Sequence, residues 1–154
     1  MKKYILISIF IGVFVVGIRA QPTHRVALNI TVADSLRAAF EKDGRLFIFL
    51  SESPYGEPRQ QLWPVSPKKN HIFAGNYKNW DPESMLQVDA GETLIKTGPF
   101  NLGEVPEGQY KIQVLWDHEK EGSRINTAGN LYSEALSAQI QGDQEVKLRL
   151  DQVI

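Results

Sequence analysis

An all-β fold of seven or eight strands in two antiparallel sheets is what the sequence predicts, and three observations carry it. Apolar residues recur at every second position or in short runs of β-branched and aromatic types. Turn residues punctuate these runs at intervals of about ten residues. No helical pattern of 10–15 residues separates consecutive strands, which argues against a parallel βαβ architecture.

Taken in order, Arg25 to Val32 alternates, with Val26, Leu28, Ile30 and Val32 on one face. Ser35 to Lys42 has room for a helical turn or two before Asp43-Gly44 ends it. Arg45 to Ser51 holds the continuous run Leu46-Phe47-Ile48-Phe49-Leu50, suited to a strand buried on both faces. His71 to Phe73, Met85 to Val88, Thr93 to Ile95, Gln109 to Trp116, Leu136 to Ile140 and Glu145 to Leu150 each read as one further strand. Gly129 to Ser133 reads as a turn feeding the strand at Leu136. Asp43-Gly44, Ser53-Pro54-Tyr55-Gly56, Ala90-Gly91, Pro106-Glu107-Gly108 and Gly142-Asp143 supply the restricted φ of proline or the positive φ open to glycine. With no internal repeat and no long linker, residues 21–154 form one domain.

The first twenty residues read as a secretory signal peptide. Lys2 and Lys3 precede an apolar run from Ile5 to Ile18, too short to span a bilayer, and Ala20 offers a small residue for cleavage. An uncleaved anchor is the alternative, since Ile18 and Arg19 do not suit the peptidase. Cleavage removes Lys2, Lys3 and Arg19 and no acid, taking the formal net charge from −1 to −4. That balance argues against a nucleic-acid partner, which needs a clustered basic surface. The absence of cysteine excludes disulfides, and Gln21 stands where a lipoprotein would have its modified cysteine. The expected product has no stable membrane anchor and works in the periplasm or outside the cell.

Five blocks in order, Gly44 to Ser51, Glu57-Pro58-Arg59, Asn79-Trp80-Asp81-Pro82, Leu102 to Leu115 and Gly129 to Glu134, resemble the N-terminal module of secreted bacterial esterases. In that family an immunoglobulin-like β-sandwich precedes an α/β-hydrolase domain. The resemblance implies an immunoglobulin-like antiparallel β-sandwich with an accessory, non-catalytic role. The sequence contains no Gly-x-Ser-x-Gly elbow, so the esterase activity is not implied.

Three function classes follow. The first is a secreted binding or accessory module for a protein or polymer partner, with a secreted hydrolase as one candidate. Tyr77, Trp80, Trp63 and Tyr132 sit in or beside loops and could form an aromatic platform, to which Arg59 would add a forked donor for a carboxylate. The same rings could equally close the ends of the fold. The second class is a small-ligand or calcium-binding protein. Asp117, Glu119 and Glu121 crowd one loop, and hard oxygen ligands suit calcium, yet the spacing fits no EF-hand or zinc motif and a solvated loop explains it as well. No other cofactor is implied. The third class is a hydrolase of unrecognised type, for which His24, His71 and His118 are the available bases, none beside a nucleophile turn. Asn29-Ile30-Thr31 matches a glycosylation sequon, but it lies within a strand and the leader looks bacterial.

Overall fold

The computed structural model describes residues 24–61, 70–118 and 124–154. The predicted signal peptide, Trp63, Glu119 and Glu121 lie outside these. The described residues hold nine strands: β1 (Val26–Val32), β2 (Gly44–Ser51), β3 (Asn70–Tyr77), β4 (Leu86–Val88), β5 (Ile95–Lys96), β6 (Gly108–Asp117), β7 (Leu131–Ser133), β8 (Leu136–Ile140) and β9 (Gln144–Val153). Among the described residues helix is confined to short 3₁₀ turns at Asp34–Ala39, Pro58–Gln60 and Leu102–Glu104. The all-β expectation holds.

The strands form one curled sheet in the order β4-β1-β9-β7-β6-β2-β3-β5, with β8 paired to β6 beside β7. Alternation in sequence decides the inward face. Val26, Leu28, Ile30 and Val32 of β1 and Val146, Leu148 and Leu150 of β9 point into the same cluster as Leu46, Ile48 and Leu50 of β2. Tyr110, Ile112, Val114 and Trp116 of β6 complete it, so the curl encloses one core.

The nine strands join in one sheet rather than two, and two further features depart from the antiparallel expectation of seven or eight strands. First, β1 and β9 pair in parallel, Val26 opposite Gln144 through Val32 opposite Leu150. A parallel pair needs a long crossover between its strands, and here the intervening chain supplies it. Backbone bonding starts at the Gln144 N–H, which donates to the Arg25 carbonyl over 2.9 Å. Second, Leu131–Ser133 is a strand rather than a turn. It pairs with β6 through Leu115 and Trp116 and with β9 through Val153, Gln152 and Leu150, with a bulge between Tyr132 and Ser133. Three residues are too few to show a period, which is why the segment reads as a turn.

Trp116 anchors one end of the core. Its ring stacks on Phe40 at 5.6 Å and meets Trp80 edge-on at 5.1 Å, while Phe40 and Trp80 meet edge-on at 5.0 Å. Both indoles find acceptors, Trp116 Nε1 donating to the Glu41 carbonyl at 2.9 Å and Trp80 Nε1 to the Ser84 carbonyl at 3.2 Å. The predicted turn at Asp43-Gly44 feeds this corner. A Cβ at Gly44 would lie 2.7 Å from the Trp116 ring and 2.8 Å from the Asp117 carbonyl oxygen, so only glycine allows the approach.

Candidate functional site

The second face of β2, β3 and β6 carries the candidate site. Side chains alternate along β2, so Phe47 and Phe49 point away from the core that holds Leu46, Ile48 and Leu50. Register places Ile72 of β3 and Gln113 of β6 opposite Phe49, and Ala74 and Leu115 opposite Phe47. The 3₁₀ turn Pro58–Gln60 and residues 124–130 lie over part of this face. Phe49 is buried there and Phe47 only half-buried.

Arg59 ties the cover to the sheet. Its backbone N–H donates to Gln113 Oε1 over 3.0 Å, and Gln113 Nε2 in turn donates to the Ser133 carbonyl over 2.8 Å. The guanidinium is buried, with Nε 2.7 Å from Glu57 Oε2, Nη1 donating to Asn126 Oδ1 over 3.1 Å, and Cζ 3.9 Å from the centre of the Tyr132 ring. A buried cation loses its hydration, and these three contacts offset that cost. The structure thus joins two of the sequence-predicted residues, Arg59 and Tyr132, but commits the Arg59 fork to internal partners.

Beside this cluster opens a cavity of about 450 Å³, lined by Phe47, Phe49, Ile72, Thr97, Arg124, Ile125 and Asn126. Its floor is apolar: the Phe47 and Phe49 rings lie 6.3 Å apart at 14°. Arg124, at the rim, is exposed and has no ion-pair partner among the described residues. The sequence reading missed this group. Phe47 and Phe49 read in the sequence as wholly interior; the available signal was that a strand apolar on both faces requires a cover for the second.

The other predicted residues lie elsewhere. Trp80 is 5% exposed, packed among Phe40 and Trp116, and its ring is no open platform. Phe40 and Trp116 cover that surface in place of water. Tyr77 is half-buried 6.5 Å from Trp116 and donates its Oη hydrogen to Glu92 Oε1 over 2.6 Å. Burial first, and then the Glu92 carboxylate, push its pKa far above the usual phenol range. Asp117 Oδ1 accepts a 3.0 Å hydrogen bond from Asn130 Nδ2. Among the described residues no three His, Asp or Glu side chains converge.

The histidines differ in setting. His24 is buried with Nε2 2.6 Å from the Val105 carbonyl oxygen. His71 is 3% exposed, packed near Phe100 and Tyr110, and neither ring nitrogen has a hydrogen-bond partner among the described residues. Desolvation lowers its pKa, opposed by the Glu52 charge. No hydroxyl is hydrogen-bonded to a histidine ring among the described residues. Asn29 of the sequon is buried, its Nδ2 donating to Glu145 Oε2 over 3.2 Å. Comparison of the chain with family models, with curated proteins and with solved structures gives no match.

Proposed function

We propose that this chain is an extracytoplasmic, non-catalytic β-sandwich of the immunoglobulin-like kind that binds a protein partner through the second face of β2, β3 and β6. One observation carries the reading. Phe47, Ile72 and Ile125 line an open concave surface, while the neighbouring Arg59 shelf is tied to Gln113, Asn126 and Tyr132 and holds its shape. An apolar hollow beside a rigid polar shelf is the anatomy of an interface, an anchor site with a fixed rim. The leader-like residues 1–20 support work outside the cytoplasm. A secreted hydrolase is the partner class that the family resemblance favours.

The test is affinity capture from the periplasm and medium of the native organism. The bait is expressed from the full 154-residue sequence so that the leader is processed as the cell processes it. The wild type should recover one specific secreted protein, and Ile125→Asp should lose it while keeping the wild-type melting temperature. Recovery of nothing specific, or recovery that Ile125→Asp leaves unchanged, overturns the assignment of this face.

A further inference from the structure

His71 sits on the core side of β3, behind the hollow. Alternation turns it inward with Phe73, while Ile72 between them faces out and lines the hollow. In register it stands opposite Leu50 of β2, and its ring meets Tyr110 of β6 at 6.0 Å and Phe100 edge-on at 5.6 Å. A Cβ on Gly98 would lie 3.8 Å from Nδ1, so the backbone after β5 passes close to the ring. Neither ring nitrogen has a hydrogen-bond partner among the described residues. An imidazolium there would bury two N–H donors without acceptors and a cation without its hydration.

The charged and titratable groups of the surrounding elements offset little of that cost. Glu52, just past β2, favours the proton but is exposed and makes no hydrogen bond to the ring. Tyr110 of β6 donates its hydroxyl to the Pro106 carbonyl over 2.9 Å. Lys96 of β5 holds the Pro99 carbonyl at 3.2 Å and Asn101 Oδ1 at 2.7 Å, and Glu104 accepts the Asn101 N–H at 2.8 Å. The walls differ in strength. Strand β2 is paired along its length to β3 and β6. Residues 97–101 hang from two β5 residues in register with Phe73 and Ala74, from the Thr97 N–H to the Ile72 carbonyl at 3.1 Å, and from the exposed Lys96 clamp. This segment has the least to break. Thr97 also lines the hollow, so its departure would reshape that wall.

Resting on the interface reading above, we propose that residues 97–101 are an acid-released strap. A proton taken up by His71 lifts Gly98 and Phe100 off the ring, draws Thr97 out of the hollow and weakens the hold on the partner. Acid favours the open form because the ring recovers its hydration, and with it an ordinary affinity for protons, only when uncovered.

Native-state amide exchange, expressed as protection factors, tests the strap at about pH 7.5 and about pH 5, on either side of the free imidazole pKa. The Thr97 and Ile72 amides should be less protected than those of Ile48 and Val114, showing a local opening. Their protection should fall by about fivefold or more on acidification, and His71→Leu should abolish the fall. Glu52→Gln withdraws the charge that eases protonation of the closed form, and should deepen it. Equal protection of all four amides, no fall in the wild type, or an undiminished fall in His71→Leu overturns the strap. Partner capture reads the coupling: the wild type should capture less at about pH 5 and His71→Leu should not. Equal losses in both overturn the coupling, and no specific capture at about pH 7.5 overturns the interface reading while the exchange result still decides the strap.

Discussion

The guanidinium carbon of Arg59 lies 3.9 Å from the centre of the Tyr132 ring, joining the 3₁₀ turn at Pro58–Gln60 to strand β7. Positive charge over an aromatic face is attracted by the ring quadrupole, by up to about 2 kcal/mol where the pair is desolvated. Glu57 on the same guanidinium is half-exposed, with its side chain at 40%, and adds less than a buried carboxylate would. A double-mutant cycle with Arg59→Met and Tyr132→Leu should therefore return a coupling of about 1 kcal/mol in urea unfolding. A coupling indistinguishable from zero would mean the two side chains are neighbours without attraction.

Gly44 makes the second prediction. Alanine there would bring its Cβ to 2.7 Å from a Trp116 ring held at Nε1 by Glu41, and to 2.8 Å from backbone oxygen. Neither neighbour is the free end of a flexible chain. Gly44→Ala should destabilise by about 1–3 kcal/mol, the range for overpacked cores, despite lowering the entropy of the unfolded chain. Thermal unfolding followed by tryptophan fluorescence measures it; an unchanged melting temperature contradicts the steric account.

A third prediction concerns Asn130, which is fully buried. Its Nδ2 donates to Asp117 Oδ1 at 3.0 Å and to the Ile125 carbonyl at 3.1 Å, and its Oδ1 accepts the His118 N–H at 3.3 Å. Asn130→Ala removes the partner of all three and should cost about 2–3 kcal/mol. Hydrogen exchange at the His118 amide should accelerate more than at β1 amides. Uniform acceleration would show that Asn130 acts only through global stability.

The fourth prediction is a pH dependence. His71 has its pKa lowered in the folded state by desolvation, partly opposed by Glu52, so the unfolded chain binds the proton more readily. Its contribution is present in full above about pH 6.5 and is lost as pH falls below that value toward the folded pKa. The loss is at most about 1.4 kcal/mol per pH unit for one group. His71→Leu also removes two buried nitrogens that have no hydrogen-bond partner among the described residues. Between about pH 6.5 and 5 the wild type should lose stability relative to His71→Leu, read from urea midpoints across the range. Parallel pH profiles for the two proteins would exclude the mechanism.

The fold was legible where local pattern decides it and obscure where distant parts of the chain meet. Alternation places β1 and β9 within a residue or so at most ends, because inward side chains must all fall on one face. Nothing local says that those two strands pair with each other, or in parallel. The five-residue run at Leu46 marks β2, and its second face predicts a cover without naming it. Trp80 follows Asn79, whose positive φ of 55° marks a turn, so the tryptophan reads as a loop residue; only the tertiary arrangement turns the ring onto Phe40. Arg59 and Tyr132 were each picked out by residue type alone. Their contact depends on β7, a strand too short to announce itself.

The parallel pairing of the first strand with the last fixes an order of events during synthesis. Val26 to Val32 are among the first described residues to be made, yet their register partner begins at Gln144. Between them every other strand must be delivered first. Strand β1 has only the three residues of β4 beside it until then, which is too little for independent stability. The enclosing curl therefore closes after the ribosome has released the end of β9, and closure carries the loop entropy of more than a hundred residues. Until then β1 lacks its parallel neighbour, and resistance to proteolysis across Val26 to Val32 should arrive only with that closure.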